Sequence, residues 1–593
     1  MLDVMNLAIL LGAGLVAVSI FTSVLASRLG APLLLLFLGL GLLVGEDGLG
    51  LEFDNAPLAY FVGVVALAVI LFDSGFATRI RTVRIVAGPS LALATAGVLV
   101  TAALTAVAVR ALFGFGWLQS LLMGAVVAPT DAAAVFFLLR VGGITVRERV
   151  RATLEIESGT NDPVAIFLTA TLASLLAGGA ASSESVGWAL AEALALEFGV
   201  GAALGAIGGL LIVQAVDRVE LEQGLYPLVA LGLALLLFAV TNLLEGSGFL
   251  AVYLAGLLAG NAELRPATAL RRFQEGMTWL AQIAMFLTLG LLATPSTFLA
   301  ILLPAVALGL FLVLVARPVA VWLCLLPFGF TGNETAFVAW VGVRGAVSIL
   351  LAILPLMEGL PRAQAMFNAT FIVVLVSLVL QGWTLRWAAR RLQLLVPPRH
   401  GPLERVELEL PGSVHHELVV YHIVNESPVA RGARLPRWAR PSLVVREGRR
   451  LDVHSAGRLR PDDYVYIFTT PRQVALLDRL FASPAELNLN DRELFGDFVL
   501  SAGASLAEIG HAYGFEPAEG DGDLSVGERL AREFGEEVGP GDRLAYGPID
   551  LVVRALADDG RIESVGLRLA PARLLRERVP QRRALQRLVA ALR

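Results

Sequence analysis

Glu157-Ser158-Gly159-Thr160-Asn161-Asp162-Pro163 runs straight into Val164-Ala165-Ile166-Phe167-Leu168. Two carboxylates and an amide thus lie inside an apolar segment. An acid near the middle of a bilayer costs about 2.5 to 3.5 kcal/mol on insertion scales, so one that is retained there marks a functional site by default. The alternative reading is a helix end in the headgroup region, with Asp162-Pro163 as the start of a new helix.

The rest of the chain favours the first reading. With 593 residues, 56% hydrophobic and 16% charged, and a mean hydropathy of +0.73, the composition excludes an ordinary soluble enzyme. A spanning helix needs about 20 apolar residues. Residues 1 to 390 break into runs of that kind, about thirteen by this rule, the sixth covering 152–177 and the twelfth 333–357. Alternate connections hold Arg79, Arg81 and Arg84, then Arg147, Arg149 and Arg151, then Arg265, Arg271 and Arg272, whereas the connections between them hold only Arg110 and Arg362. Positive charge stays inside, so the N-terminus is expected outside and the tail in the cytoplasm. The first run lacks a small-residue cleavage pattern and is read as a retained helix.

Residue usage narrows the chemistry. The 46 basic residues include no lysine, and all six histidines stand at position 400 or later. Arginine stays protonated, so carboxylates remain as the intramembrane proton carriers. Cys324 is the sole cysteine, which excludes an intrachain disulfide and a multi-cysteine metal site.

Three further polar interruptions accompany the first. Asp73 lies in Leu71-Phe72-Asp73-Ser74-Gly75-Phe76 near an arginine-marked end, where a structural role is as reasonable as a functional one. In Ala128-Pro129-Thr130-Asp131-Ala132-Ala133, Pro129 removes a backbone donor halfway along an apolar run and breaks the helix. Broken backbone at that depth is tolerated only against protein or a cavity; Thr130 supplies oxygens there, and Asp131 faces the positive end of the next half-helix. In Gly342-Val343-Arg344-Gly345-Ala346-Val347-Ser348 a permanent cation sits mid-run, which favours pairing with a buried acid over snorkelling. Ser158 and Asp162 share a helix face, a hydroxyl and a carboxylate suited to an alkali cation. Asp131 and Arg344 occupy matching places in helices four to six and eleven to thirteen, the pattern of a transporter built from inverted repeats.

These three stretches, Ala128 to Ala133, Glu157 to Pro163 and Val341 to Ala346, resemble the signatures of the monovalent cation/proton antiporters, in the electroneutral NhaP-like branch, over residues 1 to about 390. The fold implied is an α-helical polytopic membrane protein of about 13 transmembrane helices with inverted repeats and two broken helices, followed by cytoplasmic α+β domains. The resemblance implies that Asp162 carries a proton or a cation in turn. It implies that Ser158, Thr130, Asp131 and, through water, Asp73 help hold the cation, that Glu157 pairs with Arg344, and that Asn161 links the broken helices. The family often has Glu where this chain has Asp73. An Asn161-Asp162 pair, with one acid instead of two, fits electroneutral exchange.

The membrane domain is expected over 1–395, and the composition turns charged after Pro397-Pro398. Residues 403–483 alternate β-like runs with turns and end in a helix; they resemble the TrkA-C module, a ligand-sensing domain of potassium systems. Residues 487–570, with Gly541-Asp542-Arg543-Leu544-Ala545-Tyr546-Gly547, resemble the transporter-associated domain of CorC-type proteins. Residues 571–593 read as a basic helical tail. No Gly-x-Gly-x-x-Gly opens a helix in the tail, His415-His416 lacks partner ligands, and Asp521-Gly522-Asp523 is a turn. No cofactor or metal is expected and no nucleic acid partner. A homodimer in the bacterial inner membrane is expected, with a nucleotide as one regulator that the TrkA-C likeness would allow. The reading is a secondary transporter, not an enzyme: potassium/proton exchange first, because both tail domains point that way by resemblance, sodium/proton exchange second. A tail-gated cation channel is disfavoured by the titratable acid and the missing filter sequence, and a sensor without transport would leave the buried charges unexplained.

Overall fold

The computed structural model describes residues 12–569 outside 23–32, 132–134, 137–138, 140–144, 179–182, 397–403, 409–415, 470–472 and 483–491 and a few isolated positions. The basic tail, Pro397-Pro398, His415 and the start of the half-helix after Asp131 lie outside the described residues. The chain divides into two compact units, Met1–Pro398 and Arg399–Arg593.

The first unit is helical because its apolar runs leave the backbone no polar partner except itself. Among the described residues, eight helices are long and apolar enough to cross a membrane, from Ala56–Ala77 to Ala363–Arg391, and five apolar helices are shorter. They carry apolar residues all round: Leu243, Leu299 and Leu303 are each 82% exposed, as side chains facing hydrocarbon would be. Small residues let backbones approach. A Cβ on Gly41 would stand 2.8 Å from Gly290 Cα, so Leu33–Val44 and Ala267–Leu292 cross with glycine against glycine.

Among the described residues of this unit, two helices widen into a π turn, Leu93–Gly97 between Ile80–Ala92 and Val98–Phe113, and Leu312–Ala316 between Leu302–Phe311 and Arg317–Leu325. These are the fourth and eleventh apolar runs, expected to correspond in the two repeats. Two others break. Trp117–Val126 ends at Met123 to Val126, after which 127–131 leave the helix; Gly332–Trp340 likewise ends, and helix resumes at Ala346–Leu351. The breaks cross, and Asp131 N donates to the Val343 carbonyl at 2.8 Å. Between them the Glu148–Ala177 helix passes unbroken through Pro163, so Glu157 and Asp162 are mid-helix and the helix-start alternative falls. A two-residue antiparallel pair joins Thr145–Val146 to Leu395–Val396.

Among the described residues, the second unit holds two antiparallel sheets. One has five strands, in spatial order Glu404–Leu408, His416–His422, Tyr464–Thr469, Leu443–Arg446 and Arg449–Leu451. The other has four: Phe498–Ser501, Ile562–Leu569, Ile549–Leu556 and Arg543–Tyr546. Alternation buries Val419, Tyr421, Val465 and Ile467 in the first core, and Leu551, Val553, Val565 and Leu567 in the second. The helix expected at the end of the first tail segment is present as Val474–Leu477, which continues into a π-helical turn at Asp478–Ala482. A capping box of Ser525 and Glu528 starts the helix Val526–Phe534.

Candidate functional site

The crossing is held from three sides. From the Glu148–Ala177 helix, Asn161 Nδ2 donates to Thr130 Oγ1 at 2.7 Å, and the Ser158 hydroxyl donates to the Thr130 carbonyl at 3.0 Å. Ser158 and Asn161 thus grip one residue of the broken helix by its side chain and its backbone. From the other break, Arg344 donates through one terminal nitrogen to the carbonyls of Ala128 and, at 2.8 Å, Pro129. Those carbonyls lie in the non-helical stretch around Pro129, and a fully buried guanidinium reaches them there. From the Ala363–Arg391 helix, Ser377 Oγ accepts from Arg344 N at 2.9 Å, and Gln381 Nε2 donates to the Trp340 carbonyl at 2.6 Å.

Glu157 does not pair with Arg344, contrary to expectation. Its carboxylate takes Arg317, with Oε1 at 2.6 Å from Nη1 and Oε2 accepting from Nη2 at 2.9 Å. Both side chains are buried, 1% and 3% exposed. Arg344 turns one terminal nitrogen to the buried carbonyls of the opposing break, whereas Arg317 follows the π turn at Leu312–Ala316 directly. The two glycines around Arg344 make room for what flanks it. A Cβ on Gly342 would lie 2.7 Å from Arg317 Nε, and one on Gly345 would lie 2.2 Å from Asp131 Oδ2.

Asp162 is 6% exposed, and its Oδ1 has no hydrogen-bond partner among the described residues. It lies within Coulombic reach of Asp131. The structure therefore brings together Thr130, Asp131, Ser158, Asn161 and Asp162. A buried carboxylate oxygen without a donor, next to a hydroxyl and a carbonyl already turned toward each other, is an arrangement that a proton or a small cation completes.

Residues 15–391 match the transmembrane sodium/hydrogen exchanger family. The chain belongs to that family. This exchanger chain is 42% identical, over 96% of its length and 99% of the relative, to the K(+)/H(+) antiporter NhaP2 of Shewanella sp. (strain ANA-3). It is 38% identical, over 96% of its length and 99% of the relative, to the K(+)/H(+) antiporter NhaP of Alkalimonas amylolytica. Its fold is similar to that of the sodium proton antiporter MjNhaP1 from Methanocaldococcus jannaschii, with a TM-score of 0.58, 24% identity, and coverage of 66% of this chain and 100% of that one.

Asp73 stands apart from the exchanger's central group. Its Oδ2 accepts from the Thr278 hydroxyl at 2.9 Å, and among the described residues it makes no hydrogen bond to the crossing. Arg317, Ser377 and Gln381 were not singled out in the sequence. Arg317 had a readable signal, since Arg-Pro inside the apolar run Leu312 to Leu325 is a charge with the same cost as Arg344. Ser377 and Gln381, four apart in a long apolar helix, showed only as uncharged polar residues on one face.

Proposed function

We propose that this multi-pass membrane protein is an electroneutral K(+)/H(+) antiporter that exchanges cytoplasmic potassium for protons at Asp162. The identity of 42% with a K(+)/H(+) antiporter along almost the whole of both chains carries the choice of ion. The site supports the mechanism. A proton neutralises Asp162, and a cation favours its ionised form, so each excludes the other. A cation entering at Asp162 would take the Ser158 hydroxyl and the Thr130 carbonyl as oxygen ligands in place of their mutual hydrogen bond, with Asp131 adding charge. One titrating acid, with the Asn161 amide tied to Thr130, moves one proton for one cation. Rocking of the repeats about the crossed breaks would expose Asp162 to one side at a time. Asp73 would act on the cation's path through water, Glu157 and Arg317 as a fixed pair.

The same reading places the protein in the bacterial inner membrane as a homodimer, N-terminus outside and tail inside, acting as a transporter and not an enzyme. The two tail sheets would serve as TrkA-C-like and CorC-associated regulatory domains, with a nucleotide as one regulator. Sodium/proton exchange by the same residues is the second reading, favoured by the family's name and by the oxygen ligands, which accept either ion.

The test is dequenching of a pH dye in everted vesicles on adding potassium or sodium, for the wild type and Asp162→Asn, with the membrane potential clamped or free. Potassium should release protons, Asp162→Asn should abolish the signal, and the potential should not alter it. A response to sodium alone transfers the assignment to the second reading; an unchanged flux in Asp162→Asn removes the site.

A further inference from the structure

Glu155, on the Asp162 helix, has no part in the crossing. Glu155 precedes Asp162 by seven residues, two turns or about 10 Å along the axis, so Glu155, Ser158 and Asp162 form a single stripe down one face. The stripe runs from the end marked by Arg147, Arg149 and Arg151 to the site.

Glu155 is held loosely. Its Oε2 stands 3.8 Å from Arg151 Nε, and its Oε1 lies 3.5 Å from the Thr78 hydroxyl. That hydroxyl makes its short bond elsewhere, to the Ser74 carbonyl at 2.7 Å. Arg79 acts on Glu155 from beyond the end of the Ala56–Ala77 helix, and Tyr253 of Gly248–Asn261 lies within its field. The Tyr253 ring packs on Gly159, where a Cβ would meet Cε2 at 2.4 Å, so one wall of the stripe between Glu155 and Asp162 is an aromatic face. Glu157 makes the contrast: its two oxygens are fixed on Arg317 and 1% of its side chain is exposed, whereas 21% of the Glu155 side chain is. A carboxylate with short, dry contacts is part of the frame. One with long contacts and partial access can change its counter-ion.

We propose that Glu155 is the outer carboxylate of the ion path, receiving a monovalent cation from the arginine-marked face and passing it along the Glu155–Ser158–Asp162 stripe. The proposal rests on the reading of Asp162 as the carrier. Arg151 is then a tethered competitor for Glu155, released when a cation arrives.

The test is a potassium titration of dye dequenching in everted vesicles holding the full chain, with the protein quantified by blot. Glu155→Gln should raise the apparent KM for potassium about fivefold or more while the rate at saturating potassium is kept, the signature of a lost binding step. Glu155→Asp should restore most of the affinity. Arg151→Ala, which removes the competitor, should lower the apparent KM about two- to threefold. Glu155 as a mere helix tie predicts the reverse for Arg151→Ala, a less stable protein with no gain in affinity. An unchanged KM in Glu155→Gln, or an unchanged or raised KM in Arg151→Ala, overturns the proposal. A wild type that moves no protons on potassium or sodium overturns the carrier reading itself.

Discussion

Glu157 and Arg317 close a two-point ion pair, at 2.6 and 2.9 Å, between the helix that carries Asp162 and the helix that follows the second π turn. Neither group reaches water. Removing one partner strands a buried charge, which costs about 3 to 5 kcal/mol, whereas removing both leaves two neutral groups. Arg317→Ala and Glu157→Gln should therefore each lower the melting temperature of the detergent-purified protein sharply. Glu157→Gln combined with Arg317→Gln should recover much of the loss. Thermal unfolding of the three variants decides it, and a double variant worse than both singles would contradict the pair.

Gly345 permits the approach of Asp131. A methyl there would sit 2.2 Å from Asp131 Oδ2 and push the carboxylate from its place beside Asp162. Displacing a binding group by an ångström slows turnover severely, so Gly345→Ala should reduce exchange about tenfold or more with normal amounts of protein in the membrane. Gly342→Ala presses on Arg317 instead, and its loss should appear first as reduced thermal stability.

The Asn161 to Thr130 bond of 2.7 Å fastens the broken helix to the continuous one. Asn161→Ala and Thr130→Val should each cost about 1 kcal/mol, and the double variant should cost less than their sum. Melting temperatures of the double-mutant cycle measure the coupling, and strict additivity would mean that the bond contributes nothing.

In the five-stranded sheet unit, Asp463 is buried with Arg446 Nε and Nη2 at 2.8 Å and the Arg460 amide at 2.7 Å. Burial alone would raise its pKa; the Arg446 hydrogen bonds and the Arg460 amide outweigh it and hold the carboxyl below the usual range. A depressed folded pKa stabilises the fold above the unfolded value and loses that contribution as pH falls through the folded one. Asp463→Asn should therefore lower the melting temperature of the tail at neutral pH. The gap between variant and wild type should shrink as the pH is taken below about 4. Fluorimetric unfolding over a pH series shows whether the gap closes; a gap independent of pH would contradict it.

The apolar helices were legible because a bilayer leaves few other solutions, and the first break was legible because Pro129 cannot continue a helix. The partner of Glu157 was not. Arg344 and Arg317 both satisfy the rule that a buried acid sits near a buried cation, and only the crossing of two breaks reveals that Arg344 is engaged by the carbonyls of Ala128 and Pro129. Ser377 and Gln381 escaped notice because a hydroxyl and an amide in an apolar helix signal nothing until the backbone that they satisfy is known. The Leu443–Arg446 and Arg449–Leu451 hairpin was missed as well, since Arg446, Arg449 and Arg450 interrupt its alternation.

The π turn before Arg317 sets a phase. Each wide turn holds one residue more than an α-turn, so everything beyond Ala316 is rotated by about 100° from where regular helical spacing would put it. Counting in steps of 3.6 along this helix therefore gives the wrong face for Arg317. Losing one residue from Leu312–Ala316 would straighten the helix and swing the guanidinium away from Glu157, with no charged residue altered. In this helix a deletion is a change of direction, and the address of the buried cation is written in the length of the turn above it.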